Sequence, residues 1–412
     1  MNVFRTSEIL LPKDVNYEKW SVGACDQYAS QPRYWNRVRR NCEGYRSVMH
    51  MILPDAELGK PRLDDTIRYV NETMQWYIND GIFRRFDDAY VYVERRLPNG
   101  KVRAGLVGAI DLEAYDYRSE SISLIRPSEK VVEERLPCRV KIRRDAQLEF
   151  PHVQLLCDDA EKTLIEPFAA EKDRLPLLYD FDLMENGGHI TGWLVQGDAA
   201  RAFDDRLEAY AAHYYEKYQG VSGVPMLFAV GEGNLSLATA KKTYEELKSA
   251  NPNQDYSALP ARYALVELEN LYDPALHVER VHRVVKGTNT RNLLYKLQQI
   301  CSDDGFPVQW VIGEDRGMLY LDRSRGHRAI TVLQDFLDDY LGEHPGELDY
   351  VVGSDNVEEM TWQNNAIGFI MPKAEKEAMF PELQSGGIFP RKSFDLCDPN
   401  EMRYYLEGRR IK

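Results

Sequence analysis

Apolar residues arrive in this chain in short runs, and that pattern narrows the folds open to it more than any other feature. The longest, Pro225 to Gly231 and Val308 to Gly313, fall far short of the ~20 residues that a membrane-crossing helix needs. They have the length of buried strands. Similar runs rich in Val, Ile, Leu and Tyr recur at 89–93, 106–112, 153–156, 190–195, 226–230, 263–268, 309–312 and 318–321. Between them the apolar period becomes helical. Residues 63–79 put Ile67, Val70, Met74 and Ile78 on one face and stop before Gly81. A second helix runs from an Asp198 cap through Phe203, Leu207, Tyr210, Tyr214 and Tyr218 to Gly220. Further helices are expected after Asn234, over 290–302, and through Ile330, Leu333, Leu337 and Tyr340 to Gly342.

Strands with one early helix dominate up to about residue 195, after which helix and strand alternate. The expected class is α+β, with mixed sheets and packed helices, rather than a regular doubly wound sheet. No repeat or low-complexity linker interrupts the chain. Residues 1–412 read as one unit, with a possible subdivision into a strand-rich 1–197 and an α/β 198–412. The cluster Glu185-Asn186-Gly187-Gly188 predicts a hairpin connection.

With 412 residues, 43% of them hydrophobic and 29% charged, the chain can bury one large core or two smaller ones. Its net charge of −14 repels phosphate backbones, and the basic pairs Arg84-Arg85, Arg95-Arg96, Arg143-Arg144 and Arg409-Arg410 are diluted by nearby acids. Nucleic acid is therefore not an expected partner. The first residues carry a single base and develop no signal-like apolar run, which together with the short runs predicts a cytoplasmic chain with no membrane partner. Six cysteines stand singly, without zinc spacing, as reduced thiols.

The segment best suited to chemistry joins the apolar run 225–230 to the helix after Asn234 through Gly231-Glu232-Gly233-Asn234-Leu235-Ser236. Two glycines let the backbone turn sharply and approach a ligand, Asn or Ser can cap the helix, and the free N–H groups at its start attract an anion. The pattern is neither a Walker A loop nor a GxGxxG fingerprint, and a tight turn with Asn234 as an ordinary cap is the bland alternative. Asp26 and Gln27 follow the apolar run 22–24, while His282-Arg283 and the Arg391-Lys392 pair lie beside other strand and turn signals. Arg and Lys suit phosphoryl oxygens, and a carboxylate can take a proton from an attacking hydroxyl. His152 and His189 lack a partner at ligand spacing and read as structural, and Asp111 and Glu113 read as partners of neighbouring arginines.

The string Phe228-Ala-Val-Gly-Glu-Gly-Asn-Leu-Ser-Leu-Ala-Thr-Ala-Lys241 resembles the Gly-Asp-Gly-Asn-His-Ser-Leu-Ala-Thr-Ala-Lys signature of the family called domain of unknown function 1015. Further motifs carry the resemblance in order: 19–27, Val107 to Glu113, Ile125 to Glu129, Leu148 to His152, Gly187 to Trp193, Ala261 to Glu267, Val281 to Val285 and Pro390 to Phe394. The key motif is in turn similar to the phosphate-binding motif of ParB/sulfiredoxin-like proteins, including the ParB-type free serine kinases. That resemblance implies a ParB-like strand-turn-helix core and nucleotide-dependent phosphoryl transfer to a small hydroxyl metabolite, with serine or O-phosphoserine as the substrate guess. ATP or ADP with Mg2+ is the implied cofactor set, and the metal ligands stay unassigned. A nucleotide-binding regulatory or catalytically degenerate protein is the competing reading. On this resemblance Glu232 is the expected base, with Asp26 positioning metal or substrate. Gly231, Gly233, Asn234 and Ser236 cradle phosphate, Arg283 and Lys392 clamp it, and Gln27 and His282 are candidate substrate contacts. Leu235 stands where the signature has His, and Leu can neither donate to a phosphoryl oxygen nor carry a proton. Nothing in the sequence fixes the oligomeric state.

Overall fold

The computed structural model describes residues 3–24, 28, 31–58, 61–219, 225–362 and 365–412. It has two compact units: the first comprises residues 1–127, 131–276 and 397–412, and the second 128–130 and 277–396. Residues 1–127 and 131–197 share their unit with 198–276.

The first unit is built on a ten-stranded mixed sheet. Its main path runs Ile125–Pro127, Phe228–Glu232, Gln154–Cys157, Tyr263–Asn270, Val102–Asp111, Phe83–Arg96, His189–Val195 and Leu177–Asp182, with Phe4–Arg5 and Ser7–Pro12 pairing off that path. Phe228–Glu232 is parallel to Ile125–Pro127, and Tyr263–Asn270 is parallel to Gln154–Cys157; the other pairings are antiparallel. The expected hairpin joins its last two strands, with Glu185 and Asn186 both at positive φ. The core on one face gathers Val91, Val93, Val107 and Leu265 with Trp20, Trp35 and Tyr77. Burying such side chains is the main favourable term in folding.

The second unit carries a six-stranded antiparallel sheet in the order Asp315–Leu321, Cys301–Ile312, Ile367–Ile370, Glu279–Lys286 and Glu347–Val352, with Phe394–Asp395 alongside Glu279–Lys286. Both sheets and their flanking helices make this an α+β protein.

The helical periods of the sequence coincide with helices of the fold. The helix over Leu63–Asn79 buries Ile67, Val70 and Met74 with Tyr77, while Ile78 is only partly buried. Two expectations shift. The helix expected over 290–302 ends at Gln298, because Cys301 already begins a strand that the sheet captures. Asp198 is the first helical residue rather than the cap, which is Gly197. The five described cysteines are free thiols, and among the described residues no helix is long and apolar enough to cross a membrane.

Candidate functional site

The turn forms as its glycines require. The strand Phe228–Glu232 slips register against Gln154–Cys157 between Val230 and Glu232, so Gly231 occupies a bulge. Gly233 then takes φ +79°, a left-handed conformation, and a Cβ there would lie 2.9 Å from the Cα of Val153. Only glycine fits both demands. The helix Asn234–Ala250 begins at once, with Gly233 rather than Asn234 as its N-cap and with no side chain capping its first turn. Leu237 N donates to Gly233 O, and the buried Oδ1 of Asn234 has no hydrogen-bond partner. The helix start therefore carries its partial positive charge with no side-chain hydrogen bond capping it.

The residues that follow anchor the helix. Leu237, Ala238, Thr239, Ala240 and Lys241 are all buried. Ala238 packs with Val131 and Leu136, and Leu235 lies against the same apolar cluster. Thr239 Oγ1 donates back to Leu235 O at 2.7 Å, and Lys241 Nζ reaches Leu112 O at 2.9 Å.

Beside the turn opens a cavity of about 160 Å³. Ser236, Leu237, Thr239 and Ala240 line one side, Arg139 and Arg143 another, and Glu149, His152 and Val153 the strand side, with an apolar wall that includes Met51, Phe150 and Tyr405. Arg139 pairs with Asp55 and Arg143 with Glu149. His152 is buried edge-on to Tyr405, with ring centroids 5.0 Å apart, which agrees with a structural histidine.

On the sheet face next to Glu232 lies an ionic cluster that sequence reasoning missed. Glu232 is in register with Gln154, and Gln154 with Glu267 on the following strand. Gln154 Nε2 donates to Glu269 Oε1 at 2.8 Å, and Arg103 Nε lies 3.1 Å from the same oxygen. Arg403 pairs with Glu267 and Glu407. The C-terminal segment covers these groups: Arg95 donates to the carbonyls of Asn400, Glu401 and Met402, and Arg103 to that of Glu401. Within the cluster Arg103 Nη1, Gln154 Oε1 and Glu269 Oε2 are buried without hydrogen-bond partners. Burial pushes the Glu269 carboxyl up, Arg103 opposes the shift, and Glu267 adds to it. Cys397 is raised by burial, Arg103 opposing and the negative charges of Glu232 and Glu269 adding. The Glu232 carboxylate therefore shares an electrostatic environment with this cluster.

Of the expected site residues, Gly231, Glu232, Gly233, Asn234 and Ser236 come together at the turn. Asp26 and Gln27 lie outside the described residues. The residue that leads to them, Ala24, packs with Cys397 and Met402.

His282, Arg283 and Lys392 belong to the second unit. Arg283 is fully buried; its guanidinium donates to Gln334 Oε1 and to the carbonyls of Val281, Arg391 and Lys392. That geometry makes Arg283 the support of the 390–394 loop. Burial lowers its pKa to about 10. Lys392 takes φ +54°, and the backbone N–H groups of Lys392, Ser393 and Phe394 all donate to the carboxylate of Glu129. These three amides form an anion-holding nest with a carboxylate of the same unit in it. His282 Nδ1 accepts from Met371 N at 3.1 Å, and burial lowers its pKa to about 4.

Elsewhere, Asp111 pairs with Arg262 as expected, whereas Glu113 takes Lys248 and Tyr244. His189 stands between Asp180 and Asp182. Among the described residues no group of three or more His, Cys, Asp or Glu is arranged to hold a metal ion.

A mixed-sheet α+β chain with a glycine turn opening onto an uncapped helix is thus the class that fold and site define. The chain belongs to the family described as protein of unknown function (DUF1015), whose profile matches residues 9–365. No curated protein matches it significantly. Among solved structures it is similar to a mutant free serine kinase in complex with ADP, with 11% identity, 76% of this chain and 93% of that chain covered, and a TM-score of 0.39. A conserved hypothetical protein from Pyrococcus furiosus gives 10%, 74% and 94%, with a TM-score of 0.35. SbnI from Staphylococcus aureus gives 7%, 72% and 87%, with a TM-score of 0.36.

Proposed function

We propose that the turn at Gly231–Ser236 holds the phosphate of an adenine nucleotide, and that Glu232 serves as base in phosphoryl transfer between that nucleotide and a small hydroxyl metabolite. Serine is the acceptor favoured by the motif, and O-phosphoserine the donor in the reverse direction. The observation that carries the reading is the uncapped start of the helix Asn234–Ala250, fixed by left-handed Gly233 beside a cavity. Backbone N–H groups there are oriented before any ligand arrives, so they bind an anion without reorganisation. The apolar wall around Phe150 and Tyr405 suits a base or ribose, while Ser236 stands at the phosphate end.

In the forward reaction the Glu232 carboxylate takes the proton from the acceptor hydroxyl as its oxygen attacks the terminal phosphorus and the nucleoside diphosphate departs. Magnesium is commonly held by one or two carboxylates and the substrate phosphates. With Glu232 serving as the base, the ion would be held mainly by the phosphates and water, and it would neutralise phosphate charge. Gln154, in register with Glu232, hydrogen-bonds Glu269, which Arg103 faces, so fixed polar groups adjoin the strand position of Glu232.

A second reading has its own support. Leu235 occupies the position of the signature's His and packs into the apolar cluster of Val131, Leu136 and Ala238. On this reading the chain binds nucleotide and turns it over slowly or not at all.

The test is calorimetry with ATP, ADP and AMP, each with magnesium, followed by phosphorus NMR in the presence of serine or O-phosphoserine. Binding with turnover, lost in Glu232→Gln by roughly 10²–10⁴-fold, supports phosphoryl transfer. Binding without turnover selects the regulatory reading. The absence of any nucleotide binding removes both.

A further inference from the structure

A second cavity of the first unit has five cations in its lining. It has a volume of about 370 Å³ and presents Arg5, Arg85, Arg409, Arg410 and Lys412, against the acids Glu8 and Asp88. It shares no lining residue with the cavity at the turn. In a chain of net charge −14, like charges gathered in one hollow repel one another and call for a counter-charge.

Internal pairing supplies only part of it. Arg85 Nε lies 2.9 Å from Glu8 Oε2 and 2.6 Å from Asp87 Oδ1. The other Glu8 oxygen accepts from the backbone N–H of Arg410 at 3.1 Å, so both oxygens of that acid are engaged. Arg5 is oriented by Tyr263: Nη1 donates to the phenol oxygen at 3.2 Å, and the guanidinium lies 4.8 Å from the ring centroid. Arg409 is only 4% exposed. Its Nε lies 3.7 Å from Glu149 Oε1, a buried ion pair, and donates to its neighbour's carbonyl at 3.1 Å; Nη2 donates to Pro260 O, and Nη1, itself buried, has no hydrogen-bond partner. The side chains of Arg410 and Lys412 are exposed at the rim.

We propose that this cavity binds a small, multiply charged phosphate-bearing anion, of which inorganic pyrophosphate is the simplest. The oriented guanidinium of Arg5 suits the forked hydrogen bonding of phosphoryl oxygens, and the rim cations add charge. The site is independent of the reading given for the turn.

The experiment is calorimetric titration of the full chain with inorganic pyrophosphate at low and at moderate salt, repeated with Arg410→Gln/Lys412→Gln, with Arg5→Gln and with Gly233→Val. The expected result is binding that weakens with salt, falls at least about tenfold in the rim double variant and in Arg5→Gln, and persists in Gly233→Val. Circular dichroism of the rim variant, whose substitutions lie at exposed side chains, should match the wild type. Failure of pyrophosphate to bind overturns the proposal. So does binding that survives both cation variants, or binding that is lost only with Gly233→Val, which would place the anion at the turn.

Discussion

Gln154 links the glycine turn to the buried ionic cluster: its backbone stands in register with Glu232, and its side-chain amide donates to Glu269 Oε1 at 2.8 Å. Glu269 is fully buried, and Arg103 is the cation that faces it. Arg103→Met should destabilise the first unit by about 3–5 kcal/mol, since it strands a charge in the interior. Glu269→Gln in that background should recover much of the loss by removing the orphaned charge. Urea unfolding of the two single variants and the double variant decides the matter; additive effects would mean that the pair is not coupled.

Gly233→Val combines two penalties, a β-branched residue at φ +79° and a Cβ contact of 2.9 Å with the Val153 backbone. A loss of about 1–3 kcal/mol is expected from the strain, with disproportionate loss of nucleotide affinity because the helix start rotates away from the cavity. Thermal unfolding and calorimetry with ADP check both parts. Wild-type affinity in a folded variant would show that the turn does not grip the ligand.

The turn was legible in the sequence because its determinants are local. Glycines at 231 and 233, an apolar run before them and a helical period after them suffice. The ionic cluster was not, because Arg103, Gln154, Glu267, Glu269 and Arg403 come from separate strands and a distant tail, and only the sheet register unites them. In Ala264-Leu-Val-Glu-Leu-Glu269 both acids are buried, although acids alternating with apolar residues are the pattern of a strand with one wet face. Several family motifs prove to be packing devices. Gly192 makes room for the ring of Tyr179, which a Cβ would meet at 2.2 Å, and Arg283 ties down the loop that carries Lys392.

Leu235→His tests whether the turn lacks a proton donor. The imidazole leaves the apolar cluster of Val131, Leu136 and Ala238 underpacked, so the helix start should lose about 1–2 kcal/mol. If the missing donor limits turnover, phosphoryl transfer per folded molecule should rise, by as much as ~10²-fold. A stability loss with an unchanged rate assigns Leu235 to packing alone.

His282 gives the second unit a directional response to acid. Its Nδ1 accepts the Met371 N–H at 3.1 Å, which requires that nitrogen to be unprotonated and the proton of the neutral ring to sit on Nε2. Burial, with Arg283 alongside, holds its pKa at about 4 in the folded chain against 6.5 when exposed. Between those values the unfolded state binds more protons than the folded one, so stability falls as pH is lowered from about 6.5 towards about 4 and levels off below. Protonation also turns the acceptor into a donor facing another donor. Amide hydrogen exchange at Met371 should therefore accelerate, after correction for intrinsic rates, as pH falls through this window. His282→Gln keeps an acceptor at the position without a titrating group, and should flatten the profile; an equally steep profile in that variant would assign the acid response to other groups.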